Sequence, residues 1–84
     1  MTGHTLVWQP AAVAGLVRVR AEDRQVAKAL RTTIGALADD PRPPESAPLA
    51  GDLRRLRLGR VRVLYDVDDA AGAVHILTVG MVAP

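Results

Sequence analysis

The stretch LRRLRLGRVRVLYDVDD, residues 53–69, decides how this chain folds. Leu and Val alternate with Arg on both sides of Gly59-Arg60. Such alternation marks a half-buried strand, because successive side chains leave a strand on opposite faces. A two-residue link with Gly first suits a type II′ turn, which requires a positive φ at that position. The stretch therefore reads as a hairpin, with strands at residues 53–58 and 61–67. The turn sets the register: Leu58 pairs with Val61, Arg57 faces Arg62, and Arg55 faces Leu64. One face then holds Leu56, Leu58, Val61, Val63 and Tyr65. The other holds Arg55, Arg57, Arg62 and Leu64.

Like charges directly opposite each other in a sheet are destabilising. Yet Arg54, Arg55, Arg57, Arg60 and Arg62 fall within nine residues, and no acid interrupts residues 53–65. Two readings are open. In one, the face is merely solvated and Asp66 or another acid relieves the repulsion. In the other, it is an anion site that is strained when empty. The planar guanidinium donates bidentate hydrogen bonds to phosphate and stays charged at any relevant pH. An RNA backbone, a phosphoryl-transfer transition state or a carboxylate-rich partner segment would each satisfy it.

Working outward, residues 4–8 (HTLVW) read as a first strand and Pro10 as a helix start. Residues 11–19 form a short helix weakened by Gly15, and residues 21–38 form the clearest helix. In the latter, Val26, Leu30, Ile34 and Leu37 recur at helical spacing. Glu22 and Asp23 sit in its first turn, where the helix dipole favours anions. Residues 39–52 hold four of the six prolines and read as a surface loop. Residues 70–73 make a second turn, residues 74–79 (VHILTV) the last strand, and Gly80 ends it. The order is β-α-α-β-β-β, an α+β fold in which a helical hairpin packs on a small, mostly antiparallel sheet.

The 84 residues make a single domain, 1–84, with a thin core. The net charge of +2 conceals the concentrated arginine patch. That patch points to a polyanion or an acidic protein surface. Trp8 and Tyr65 are the sole aromatic residues, which argues against a single-strand binder built on stacking platforms. There is no cysteine, so disulfides and thiolate metal sites are excluded. Two isolated histidines and scattered acids lack metal-ligand spacing, and no Gly-rich phosphate loop occurs. No metal or cofactor is expected. The N-terminus lacks a signal-peptide pattern and no apolar run reaches membrane length, so the cytoplasm is the expected compartment.

LAGDLRRLRLGRVRVLYDVDD, residues 49–69, resembles the pattern of the RelE/ParE superfamily of bacterial toxins. The opening LVWQPAA, the helix exit ALADDPRPP and the closing VHILTVG resemble it too, over about residues 4–80. The resemblance implies the toxin of a type II toxin–antitoxin pair and favours the RelE-like branch. Toxins of that branch enter the ribosomal A site and cleave mRNA by attack of a 2′-hydroxyl on the adjacent phosphate. In that branch, basic residues of the hairpin grip RNA, and the matching positions are Arg55, Arg57 and Arg62. With Arg54 and Arg60 these form the expected RNA-binding set, and Arg57 and Arg62 the expected transition-state stabilisers. Active members usually continue after Val-Gly with a basic pair and a tail containing Tyr, or acid and His. Here Gly80 is followed by Met81 and Val82, which predicts weakened or absent cleavage.

His75 is the remaining candidate for proton transfer, since it titrates near neutrality, although by alternation it shares a face with Leu77 and Val79. Tyr65 belongs to the core face, and His4 is expected to be exposed and inert. Two other functions are consistent with the resemblance: a ParE-type inhibitor of DNA gyrase, and a silent homologue that only binds its antitoxin and co-represses. All three imply a cognate antitoxin as main partner, with operator DNA reached only through it. The nuclease reading adds the ribosome and mRNA, and none involves a membrane. A partner that binds the folded chain would stabilise so small a domain by mass action.

Overall fold

The computed structural model describes residues 3–83. Its elements are β1 (Thr5–Trp8), α1 (Pro10–Glu22), α2 (Arg24–Gly35), a 3-10 turn (Ala36–Ala38), β2 (Ser46–Ala50), β3 (Leu53–Leu58), β4 (Val61–Asp68) and β5 (Ala73–Met81). They form one five-stranded sheet in the order β1-β5-β4-β3-β2. The β1–β5 pair is parallel and the other pairs are antiparallel. Each helix buries one apolar flank against the same sheet face, α1 through Ala12 and Val19 and α2 through Ala27, Leu30 and Ile34. Leu30, Ile34 and Leu37 meet Leu56, Val61, Val63, Tyr65 and Ile76 there.

The hairpin has the register the sequence dictates. Leu58 pairs with Val61, Arg57 with Arg62, and Arg55 with Leu64. Gly59 takes φ +56°, while Arg60 stays at negative φ, as a type II′ turn requires.

The helical region divides differently from the expectation. The helices are α1 and α2 rather than residues 11–19 and 21–38, and one residue separates them. Asp23 is that residue. It adopts an extended conformation, and its carboxylate accepts hydrogen bonds from the backbone N–H groups of Gln25 and Val26 at 3.0 and 3.1 Å. It therefore ends one helix and caps the next, instead of sitting in a first turn. Glu22 belongs to the end of α1.

Two further expectations are corrected. Residues 39–52 are not all loop, because Ser46–Ala50 pairs with β3 as an edge strand. Pro48 is tolerated there since its missing N–H is no loss on the outer side of an edge. The last strand does not stop at Gly80 but runs to Met81, with Arg62 opposite Gly80 and Val61 opposite Met81.

Gly15 weakens α1 by propensity but is required by packing. A Cβ at this position would overlap the carbonyl oxygen of Val79 on β5. Its backbone therefore packs directly on the sheet. Gly15→Ala is expected to lose about 1–3 kcal/mol in a urea melt, the usual penalty for overpacking. Helix propensity alone would give a gain of about 1 kcal/mol. A variant at least as stable as wild type would contradict this close approach.

Candidate nucleic-acid interface

Alternation along β3 and β4 places Arg55, Arg57 and Arg62 on the sheet face turned away from the helices. β2 covers the outer side of β3, so these arginines stand within the sheet rather than at its rim. Arg57 is exposed, and Arg55 and Arg62 are half-buried. Arg62 Nη1 donates to the carbonyl oxygens of Gly59 and Val61 at 2.7 and 3.0 Å, which fastens it to the hairpin turn. Partial burial, and then the charges of Arg57 and Arg55, push the Arg62 pKa below the ordinary guanidinium value. The group stays cationic regardless. Arg55 Nε is buried without a hydrogen-bond acceptor.

Among the described residues, no carboxylate relieves this cluster. Asp69 is the carboxylate engaged there, 2.9 Å from Arg42 Nη2 and 2.9 Å from His4 Nε2, away from the cluster. Asp66 does not fill the compensating role that the solvated-face reading gave it. Next to Arg62 the sheet is open, because Gly80 lies opposite and no atom stands within 4 Å of where its Cβ would be. Thr78, exposed and opposite Leu64, adds a hydroxyl beside this gap. The result is a cationic surface with an unpartnered donor at Arg55 Nε and open space beside Gly80.

The other two arginines of the hairpin do not join it. Arg54 points to the opposite face, where Nε and Nη2 donate to Ser46 Oγ at 3.1 and 2.9 Å. Arg60, in the turn, donates through Nε to the Val82 carbonyl at 3.0 Å. Both hold the hairpin to neighbouring chain.

Tyr65 is fully buried, and its hydroxyl donates to the Pro41 carbonyl at 2.7 Å. His75 is opposite Asp66 on the open face. Asp66 lies four positions along β4 from Arg62, a distance of about 13 Å at strand rise. The sequence-based grouping of His75 with Val79 fails at a bulge. Leu64 pairs with Thr78 and Tyr65 with Ile76, so Leu77 is an extra residue. Beyond it the alternation is re-phased, and Val79 is buried with Val74 and Ile76. Gly80 and Thr78 were therefore missed as part of the site, and no local sequence signal marks this bulge.

His4 is not inert. Its side chain is 18% exposed, and Nε2 meets Asp69, which also accepts from Arg42. Hydrogen bonds from Arg42 and then His4 hold the Asp69 carboxyl below its ordinary pKa. Its stabilising contribution is present above the ordinary carboxylate range and fades as pH falls through the lowered value. The cluster ties the N-terminal segment and the Pro-rich loop to the β4–β5 turn.

Comparison with known proteins bears on this arrangement. A family model described as the ParE toxin of type II toxin-antitoxin system, parDE, matches residues 6–81. The toxin-antitoxin complex RelBE2 from Mycobacterium tuberculosis contains a similar chain, with 25% identity and a TM-score of 0.80 over 100% of this chain and 97% of that one. A chain of the archaeal RelE-RelB complex from Pyrococcus horikoshii has 24% identity and a TM-score of 0.77 over 96% of each chain. The isolated E. coli RelE toxin shares the fold at 19% identity, with a TM-score of 0.73 over 96% and 86% of the two chains. No curated protein sequence matches.

An unrelieved cluster of like charges should cost stability when no anion is bound. Arg57→Thr is expected to raise the melting temperature at low salt, and the gain should shrink as added salt screens the repulsion. A lower melting temperature, or a gain independent of salt, would contradict this description of the face.

Proposed function

The chain belongs to the ParE toxin family of type II toxin–antitoxin systems, and from that premise we propose that its open arginine face grips mRNA in the ribosomal A site and promotes cleavage. The observation that carries the proposal is the set of Arg55, Arg57 and Arg62 on one face, without an acid partner and beside the gap at Gly80. In the reaction a 2′-hydroxyl oxygen bonds to the adjacent phosphorus, and the bond from phosphorus to the 5′-oxygen breaks. The products are a 2′,3′-cyclic phosphate and a 5′-hydroxyl. The 2′-hydroxyl loses its proton and the departing 5′-oxygen gains one. Arg57 and Arg62 neutralise the charge that builds on the phosphoryl oxygens, and Arg55 holds a neighbouring phosphate.

The proton transfers are the weak part of this site. His75 is the nearby imidazole, but it stands about 13 Å along the sheet from Arg62. Cleavage by charge and positioning alone is slow, so modest activity is part of the proposal. Arg54 and Arg60 act through the hairpin they brace.

The cognate antitoxin is the main proposed partner. Two of the similar solved structures are complexes with an antitoxin, RelBE2 and RelE-RelB. An acidic antitoxin segment laid on the arginine face would relieve its repulsion and block RNA, and the complex would reach operator DNA through the antitoxin. The cytoplasm is the proposed site of action. A second reading, binding and inhibition of DNA gyrase without cleavage, is favoured by the family model itself, which is that of parDE toxins.

Primer extension on mRNA from programmed ribosomes distinguishes the two. The purified chain is expected to give discrete A-site cuts that weaken roughly 100- to 1,000-fold in Arg62→Ala, the usual loss on removing an oxyanion donor. His75→Ala is expected to keep most of the activity. Absence of cuts by a folded chain that blocks gyrase supercoiling would replace the nuclease reading with the gyrase reading.

A further inference from the structure

We infer that the helical layer carries a second polyanion site, a cationic cleft that seats the phosphate backbone of a folded RNA. The cleft lies between the end of α1 and one flank of α2 and is lined by Arg20, Arg24, Ala27, Lys28, Arg31 and Thr32. All but Ala27 are exposed. Arg24, Lys28 and Arg31 follow at helical spacing along about 10 Å of α2, and Arg20 approaches from α1.

Stability does not explain this arrangement. Like charges three and four residues apart on a helix repel. No described carboxylate forms an ion pair with any of the four cations. No acid lines the cleft, and the neighbouring Asp23 is engaged in capping α2.

The chemistry selects the ligand. A protein interface concentrates its binding energy in aromatic or Arg anchors at a packed, desolvated centre, whereas the four cations here all stand exposed. None of the exposed large apolar side chains, Val13, Val17, Leu49 and Val82, lines this cleft. A single strand needs aromatic stacking platforms, and the cleft has none. A duplex segment of RNA presents rows of phosphates and 2′-hydroxyls, recognised through charge and shape. The choice of RNA over DNA rests on the reading that the sheet face holds mRNA on the ribosome, where a second face of the same small domain also meets RNA.

The test measures fluorescence anisotropy of a labelled RNA duplex of about 16 base pairs across a salt series. Wild type is compared with the helix triple Arg24→Ala/Lys28→Ala/Arg31→Ala and the sheet triple Arg55→Ala/Arg57→Ala/Arg62→Ala, each checked for folding by circular dichroism. A single charge reversal, Lys28→Glu, serves as a second helix variant. The slope of log K against log salt is expected to fall by roughly 3 in the helix triple and less in the sheet triple. An unchanged slope in both helix variants would overturn the proposal. So would tighter binding of a DNA duplex of the same sequence, or displacement of RNA by less polyglutamate than unlabelled RNA. Cleavage assayed on the same proteins separates the two claims. A wild type that binds duplex through the helix cleft but never cuts mRNA on ribosomes contradicts the nuclease reading and supports the cleft. One that cuts, while the helix triple binds duplex as before, overturns the cleft alone.

Discussion

Arg57 opposite Arg62 is the contact around which this molecule is arranged. The two-residue turn at Gly59-Arg60 leaves no other register, and alternation then brings Arg55 to the same face. Repulsion among the three is tolerated because the opposite face of the hairpin compensates. Leu56, Val61, Val63 and Tyr65 are completely buried there, and slipping the register by one residue would put charges in the core. Apolar burial thus holds the cations together, and the unfavourable electrostatics become a standing preference for an anion.

The surrounding structure fixes the position of that preference. β2 on one side and β5 on the other keep the arginine strands interior to the sheet. Gly15 lets α1 settle directly on β5, and the Tyr65 hydroxyl fastens the Pro-rich loop through the Pro41 carbonyl. Arg62 is held by the carbonyls of its own turn, so the guanidinium is oriented before any ligand arrives. Less of the binding free energy is then spent on ordering side chains. A domain of this kind exchanges stability for a prepared site.

Features set by local chemistry were legible in the sequence. The hairpin, its register, the helical pair and the core role of Tyr65 all follow from period and turn residues. The family resemblance read from residues 49–69 agrees with the family match over residues 6–81. Features set by tertiary pairing were not legible. Residues 46–50 contain a proline and form a strand because β3 offers them an edge. The bulge at Leu77 re-phases β5 and separates His75 from the face first assigned to it. Gly80 looked like a strand end and instead opens the space beside Arg62. The link from His4 to Asp69 joins positions 65 residues apart, a separation that no local pattern reports. Of the five arginines, Arg54 and Arg60 were grouped with the three on the open face; their bonds to Ser46 on the unforeseen β2 and to the Val82 carbonyl, which no local pattern reports, set them apart.

The most direct test of an anion-seeking arginine face is to watch the guanidinium groups themselves. Nitrogen-15 spectra of the arginine Nε–H groups can be followed while a short RNA with 2′-O-methyl groups, which cannot be cleaved, is titrated in. Shifts concentrated in Arg55, Arg57 and Arg62, with Arg54 unmoved on Ser46, are the predicted result. A titration that leaves those three unchanged, or that moves Arg54 and Arg60 instead, would contradict the account.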